Sequence, residues 1–545
     1  MKKTISYLIL LVVLSVGANA NNIRVNTAVL NGQNIPGGFT FVSFNMLWDN
    51  SWRTSSGPNN WDAAWVFVKY RIESGPGCTV TGNWLPATLS NVNGDHSVTT
   101  NNGVAPAFAA AADNTGVFAY RAADGTGNIN WGDVRLRWNY GVDGLASGCV
   151  VTIKVFAVEM VHVPGGSFFV GDGSVTLSGQ LRNGPTNTAY QITGEGAVTL
   201  GGLTAGSLNN SNGSQTVADD FNNVTTQTLP ATFPKGFAAF YSMKYEISAE
   251  QYAEFLNVLT VTQQLARHGA TVVNRNITNS STSPINRNAV KCSILPTGGT
   301  PGTYGSDLNN NNIYNETADG QNIAITNLSS QDILAYYDWA GLRPMTELEL
   351  EKMARGNLPA VPNEYAWGSA TLYATSYAAL TNSGAGNELP NSPSTTLGNA
   401  NYSLTNVGIG GPFRVGIFAT ATSSRVAAGA SYYGIMELTG NAWEIPVGLG
   451  HVAGRSFTGL HGNGNMSATG FANVDNWPGA NGNSSWTTSN AGVNVGSTQA
   501  AGVTFRGGSW FQLNWLRVSD RDYSSWSGLN TRENRIGGRA VRTAP

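Results

Sequence analysis

Gly434-Ile435-Met436-Glu437-Leu438-Thr439-Gly440-Asn441-Ala442-Trp443-Glu444 is the most informative stretch of this chain. It places two carboxylates, Glu437 and Glu444, in a tight Gly-containing turn. Upstream lie two clear helix starts. Ser248 is followed three residues later by Gln251, and Thr346 by Glu349, the spacing of a capping box. After Ser248, Tyr252, Phe255 and Leu256 fall on one helical face as a packing stripe. A further helix carries Ile333, Tyr336, Tyr337 and Ala340 at helical spacing and stops at Gly341. Glu347, Glu349 and Glu351 crowd the first turns after Thr346, as the helix dipole favours. Their alternation puts them on different faces, so they cannot all converge on one site.

Further outward, composition sets bounds. The chain has 545 residues, long enough for two or three domains. Charged residues make up only 11% and Gly reaches 66, which favours short strands and many turns over long solvated helices. A formal net charge of -2 gives no electrostatic reason to expect nucleic acid or an acidic membrane surface. Lys2 and Lys3, the apolar run Ile5–Val16 and Ala18-Asn19-Ala20 read as a cleaved secretory signal peptide, residues 1–20. No later segment is apolar for the roughly 18 residues a membrane span needs, so a secreted protein of the periplasm or cell surface is expected.

From about residue 21 to 158, apolar runs of strand length alternate with Gly, Asn and Pro: Phe39–Phe44, Ala63–Tyr70, Gly116–Tyr120, Val134–Tyr140 and Val150–Val158. Regular turn signals between them predict a β-sandwich. An oxidising compartment lets Cys78 and Cys149, both in this region, form a disulfide. Cys292 is then left unpaired, in a polar insertion with no basic cluster to activate it.

Beyond residue 158, separated segments carry one resemblance in one order: Val163-Pro164-Gly165-Gly166-Ser167-Phe168; Tyr245-Glu246-Ile247-Ser248; Arg343-Pro344-Met345-Thr346-Glu347-Leu348-Glu349; Tyr365-Ala366-Trp367-Gly368; the stretch at 434–444; and Arg506-Gly507-Gly508-Ser509-Trp510, closed by Gly537-Gly538-Arg539. Together they resemble the sulfatase-modifying factor family, the formylglycine-generating enzymes and their non-catalytic relatives. The family's usual form at 434–444 is Gly-Leu-Tyr-Asp-Met-x-Gly-Asn-Val-Trp-Glu. The implied fold class is an all-β N-terminal sandwich followed by an α+β, irregular, C-type-lectin-like domain over 159–545, with insertions at about 172–230 and 260–325. Gly538 stands where the family has Phe, leaving a gap for another side chain to fill.

The resemblance also carries chemistry. The family's oxidases hold copper with two cysteine thiolates shortly after the Gly-Gly-Ser strand, and no Cys follows Cys292 here, so no copper is expected. A structural Ca2+ in the family's signature loop maps onto Glu437, Gly440, Ala442 and Glu444. Carboxylates and carbonyls in one tight turn suit that hard cation, the alternative being that backbone N–H groups or a buried Arg hold Glu444. His451 and His461 read as ordinary loop residues. Asp307-Leu308-Asn309-Asn310-Asn311 echoes the start of an EF-hand loop without Gly at position six, Glu at position twelve or flanking helices, and is discounted.

The reading that follows is an exported, non-catalytic protein, a structural or binding module of the bacterial cell envelope or surface with an envelope or surface protein as partner. The alternative is a lectin-like protein that binds a glycan or peptide through Trp510, Trp515, Asp520, Asp522, Tyr523 and Trp526. Enzymatic chemistry of an unrecognised kind is the third reading, since no titratable cluster with catalytic spacing is evident.

Overall fold

The computed structural model describes residues 22–177, 179–211, 225–479, 502–524 and 532–545. The expected signal peptide lies outside the described residues.

The run Ala63–Tyr70 shows how the chain is layered. It lies in strand Asp62–Ser74, and successive side chains of a strand point to opposite faces. Ala64, Val66, Val68 and Tyr70 join one core with Phe44, Trp48, Trp131 and Trp138. Ala63, Trp65 and Phe67 join another with Phe118, Phe156, Phe255 and Trp339. Burial on both sides explains the unbroken apolar sequence.

The first core is closed by a four-stranded sheet in the order Arg24–Asn34, Phe39–Arg53, Gly125–Trp138, Ser97–Asn101. The sheet containing Ala63 runs Arg343–Pro344, Ala540–Thr543, Phe240–Met243, Val150–Val163, Asp62–Ser74, Val117–Arg121, Pro106–Ala110. Strand Val150–Val163 therefore runs unbroken through the border expected at 158/159. Its Met160 pairs with Ala63 on one side and Met243 on the other. One sheet is thus shared by the N-terminal and C-terminal parts.

Helices α1 (Ala249–Leu256), α2 (Val261–Arg267), α3 (Ser330–Trp339) and α4 (Glu347–Arg355) pack on the C-terminal side, and a short α5 spans Val452–Arg455. Ser248 caps α1 and Thr346 caps α4, each with its reciprocal partner three residues on. The gap expected at Gly538 is taken by α3: a Cβ there would lie 2.6 Å from Ile333 Cγ2 and 2.7 Å from the Tyr337 hydroxyl. Residues 172–230 contain a four-stranded sheet of three-residue strands, and 260–325 contain α2 and the sheet Arg275–Asn276, Val290–Ile294, Thr303–Ser306. No helix among the described residues is long and apolar enough to cross a membrane.

A disulfide joins Cys78 and Cys149, with Cα atoms 5.7 Å apart and 71 residues of sequence separation. Opening it frees a long loop in the unfolded chain, so paired Cys78→Ala and Cys149→Ala substitutions are expected to cost roughly 2–4 kcal/mol. Denaturant midpoints with and without reductant check this, because the double variant should have lost its response to reductant.

His162 sits at the seam between the two parts. Its ring stacks on Trp61 at 3.8 Å between centroids and meets Tyr241 edge-on, and its Nδ1 makes no hydrogen bond. Burial, then the charges of Lys352 and Arg53, push its pKa down to about 4. An unfolded His titrates near 6.5, so this stabilisation is complete above that pH and is lost as pH falls toward 4, by about 3 kcal/mol. His162→Phe is expected to flatten the acid limb of the stability profile over that window. An unchanged limb would assign the acid sensitivity to other groups.

Candidate functional site

The C-terminal part holds two neighbouring features, a buried carboxylate loop and an open pocket, and a network of arginines fixes both. Arg506, from the Arg-Gly-Gly-Ser-Trp segment, donates to Glu347 Oε2 at 2.8 Å and to Glu351 Oε1 at 3.1 Å. Arg521 donates to both oxygens of Glu347. Glu349 turns the other way, to Arg343 and to the N-cap of α4. The acidic run of α4 therefore splits between faces: Glu347 and Glu351 both hold Arg506, Glu347 also holds Arg521 beyond Gly508, and Glu349 caps its own helix.

The loop at 434–444 is pinned by main-chain bonds, Gly440 N–H to Gly507 O at 2.8 Å and Asn441 N–H to Asn401 O at 2.8 Å. Gly440 has φ +82°, and an added Cβ would lie 2.4 Å from Asn401 O, so only glycine fits. Glu437 also takes the left-handed conformation, φ +55°. Its Oε1 accepts the Gly416 N–H at 2.7 Å, and its Oε2 is buried without a hydrogen bond. Glu444 Oε1 accepts from Arg539 Nε at 2.8 Å, while its Oε2 is also buried without one.

The two alternatives for Glu444 meet here, since a buried Arg holds one oxygen and leaves the other. Glu246 closes the group, accepting from Ala442 N–H at 2.8 Å and from the Asn441 amide. Of the three buried carboxylates only Glu444 bonds Arg539, whose charge also acts on Glu246 and Glu437, with Arg414 acting on Glu437 as well. The other Arg539 donors go to the carbonyls of Met243, Lys244 and Met436. Burial raises Glu437 to about 7; burial, then Glu444 and Glu437, raise Glu246; and burial raises Glu444. Along the turn, the carbonyls of Asn441, Trp443 and Glu444 accept main-chain hydrogen bonds, whereas among the described residues none is donated to those of Glu437, Gly440 and Ala442. The donor set fits a hard cation: anionic and carbonyl oxygens without partners, on the same four residues.

The pocket has a volume of about 510 Å³ and is lined by Tyr365, Leu513, Asn514, Trp515, Arg517 and Asp520, with Asp522, Thr176 and Leu177. Trp515 has φ +65° and packs edge-on against Tyr523, 5.1 Å between centroids, beside Trp443. Arg517 lies over the ring of Tyr365 at 5.6 Å. Burial pushes Asp520 up to about 6. Of the expected binding residues, Trp515, Asp520 and Asp522 meet in this pocket with Tyr523 behind them. Trp510 does not join them: its indole N–H donates to Asn534 O, and it lines a separate hollow with Phe511 and Ile409. Trp526 lies outside the described residues.

His451 and His461 serve separate local roles. His451 Nδ1 accepts the Ala453 N–H at the start of α5, and His461 Nε2 accepts the Thr543 N–H. Tyr365, Arg517, Glu246 and Arg539 were not foreseen as site residues. Tyr365, Glu246 and Arg539 each stand inside a recognised motif, which was the available signal, while Arg517 had none beyond its place after the Gly507-Gly508-Ser509 segment.

The profile of the sulfatase-modifying factor enzyme 1-like domain matches residues 153–544. The chain belongs to that family. Among curated proteins, none matches it. The matched region begins inside strand Val150–Val163, so the family domain takes its edge from the strand that also completes the N-terminal core.

Proposed function

We propose that this is an exported, non-catalytic binding module of the bacterial cell envelope or surface, with the Trp515 pocket as its contact site. In this reading a β-sandwich and a C-type-lectin-like domain are fused through one shared sheet. The observation that carries it is the makeup of the pocket. The segment Ser509–Arg517 contributes Trp515, Asn514 and Arg517 where the family's oxidases carry thiolates, and no Cys occurs beyond Cys292. Aromatic faces with short polar and charged groups suit recognition, and copper-dependent oxidation lacks its ligands. Ca2+ at Glu437, Gly440, Ala442 and Glu444 is assigned a structural role: the unpartnered oxygens supply the donors, and the loop bonds directly to Gly507, in the segment that leads into the pocket.

The reading is tested by crosslinking capture from the native cells with the intact exported chain and with Trp515→Ala and Asp520→Asn. A stoichiometric envelope or surface protein lost in both variants supports it. Capture of a glycan or peptide instead, again lost in both, favours the lectin-like reading of the same pocket. Equal recovery of partner by all three proteins rules the pocket out, and conversion of a Cys-containing peptide by the copper-loaded protein rules out the non-catalytic assignment.

A further inference from the structure

The insertion between α2 and α3 contains Asp307-Leu308-Asn309-Asn310-Asn311-Asn312, with oxygen-bearing residues at the first, third and fifth positions of a calcium loop but without Gly at the sixth and Glu at the twelfth. The backbone answers both objections. Asn312, at the sixth position, has φ +64°, the left-handed conformation for which that Gly is needed and which Asn adopts more readily than most residues. A carboxylate does return to the loop, from Asp319, one residue beyond the twelfth position.

Asp319 is fully buried. Its Oδ2 accepts the Glu316 N–H at 2.7 Å, while its Oδ1 is buried and makes no hydrogen bond. Burial raises its pKa, the Glu316 N–H and the nearby Asn309 N–H oppose that rise, and the charges of Asp307 and Glu316 add to it. Asp307 is fully buried as well and accepts the N–H groups of Asn311 at 3.0 Å and Asn312 at 3.2 Å. Asn309 Oδ1 accepts the Asn311 N–H, Asn311 Oδ1 accepts the Ile313 N–H, and both amide groups donate to Glu316 Oε2. Lys291 brings an ammonium 2.8 Å from Asp307 Oδ2, bonded also to Asn310.

Asp307 is thus paired with the Lys291 ammonium and Glu316 receives two amide groups, whereas Asp319 Oδ1 has neither donor nor cation, which is costly for a buried carboxylate oxygen. No three His, Cys, Asp or Glu side chains among the described residues converge as a ready-made metal cluster. That count does not decide this case, because calcium loops fill six to eight positions with amide and main-chain oxygens as well as carboxylates.

We propose that the loop Asp307–Asp319 binds a divalent hard cation, calcium by its ligand type, through the carboxylates of Asp319 and Asp307 and the amide oxygens of Asn309 and Asn311. The cation gives Asp319 Oδ1 its missing partner and joins both ends of the loop. The site is distinct from the one at 434–444 and lies in the insertion that follows strand Thr303–Ser306.

Tyr314 lies within the loop, its hydroxyl donating to Asn274 at 2.7 Å, and can sensitise bound terbium. The experiment uses the exported chain carrying Glu437→Gln, so that the 434–444 loop is disabled. Tyrosine-excited terbium emission that calcium competes away is expected. Apparent affinity should fall roughly tenfold or more in Asp319→Asn and in Asn309→Ala, which lose an anionic and an amide ligand. Tyr314→Phe should dim the emission while leaving calcium affinity unchanged by calorimetry. The second ligand variant covers the event that Asp319→Asn does not fold. The proposal is overturned if the folded parent shows no calcium-competed emission, or if folded ligand variants titrate as the parent does.

Discussion

Glu347→Ala is expected to lower the stability of the folded chain by about 3–5 kcal/mol, the loss typical when one partner of a buried ion pair is removed. Glu347 is fully buried at the first turn of α4 and receives Arg506, the Nε and Nη2 of Arg521, and the Leu449 N–H at 2.6 Å. Burial pushes its carboxyl up, but Arg521 and Arg506 outweigh burial and hold it below the usual carboxylate range. Its contribution is therefore present above the ordinary glutamate pKa near 4.3 and is lost as pH falls through the lowered folded value.

Truncation leaves two buried guanidinium groups sharing one fewer carboxylate, in the segment that builds the pocket. The midpoint of denaturant unfolding, with limited proteolysis of the C-terminal part, measures the loss. Glu73→Ala, at an exposed site, is the control and should unfold at the parent's midpoint. If Glu347→Ala unfolds at the control's midpoint, the arginine network is not what holds α4 to the segment after Gly508.

The same residues show what a sequence reveals. Periodicity correctly said that Glu347, Glu349 and Glu351 cannot all converge on one site, because the pitch of a helix is local. It could not name Arg506 or Arg521, which lie 159 and 174 residues away. Capping boxes at Ser248 and Thr346 were legible for the same local reason.

The run Ala63–Tyr70 announced a strand, yet nothing in it said that one neighbour would serve two cores, so the border expected at 158/159 fell within a strand. Pairing partners are chosen by packing across the whole chain, and a period of two is silent on them. Trp510 and Trp515, five residues apart, were grouped as one surface. The left-handed turn at Trp515 sends them to different hollows, and a backbone dihedral at a non-glycine residue has no marker in composition. At Asn312 the same kind of dihedral hid a loop that strict motif matching rejected.

The loop at 434–444 yields the other large effect, one that separates a cation site from an acid cluster held by arginine alone. If Ca2+ binds there, folding gains about 4 kcal/mol when free calcium exceeds its dissociation constant by roughly a thousandfold. Chelator should then lower the melting temperature, and Glu437→Gln should abolish most of that response. The substitution keeps an oxygen for the Gly416 N–H but removes one of three buried carboxylates around Arg539.

In chelator, therefore, the variant should melt at or above the parent, since like charges have been relieved; in calcium it should melt below it. That crossing of order is hard to obtain any other way. Simple loss of packing would place Glu437→Gln below the parent in both conditions. A cluster satisfied by Arg539 alone would leave the parent indifferent to chelator. Carrying Asp319→Asn in both proteins confines the comparison to this loop. Parent and variant responding equally to calcium under those conditions would remove Glu437 from the ligand set and return Glu444 to its partnership with Arg539.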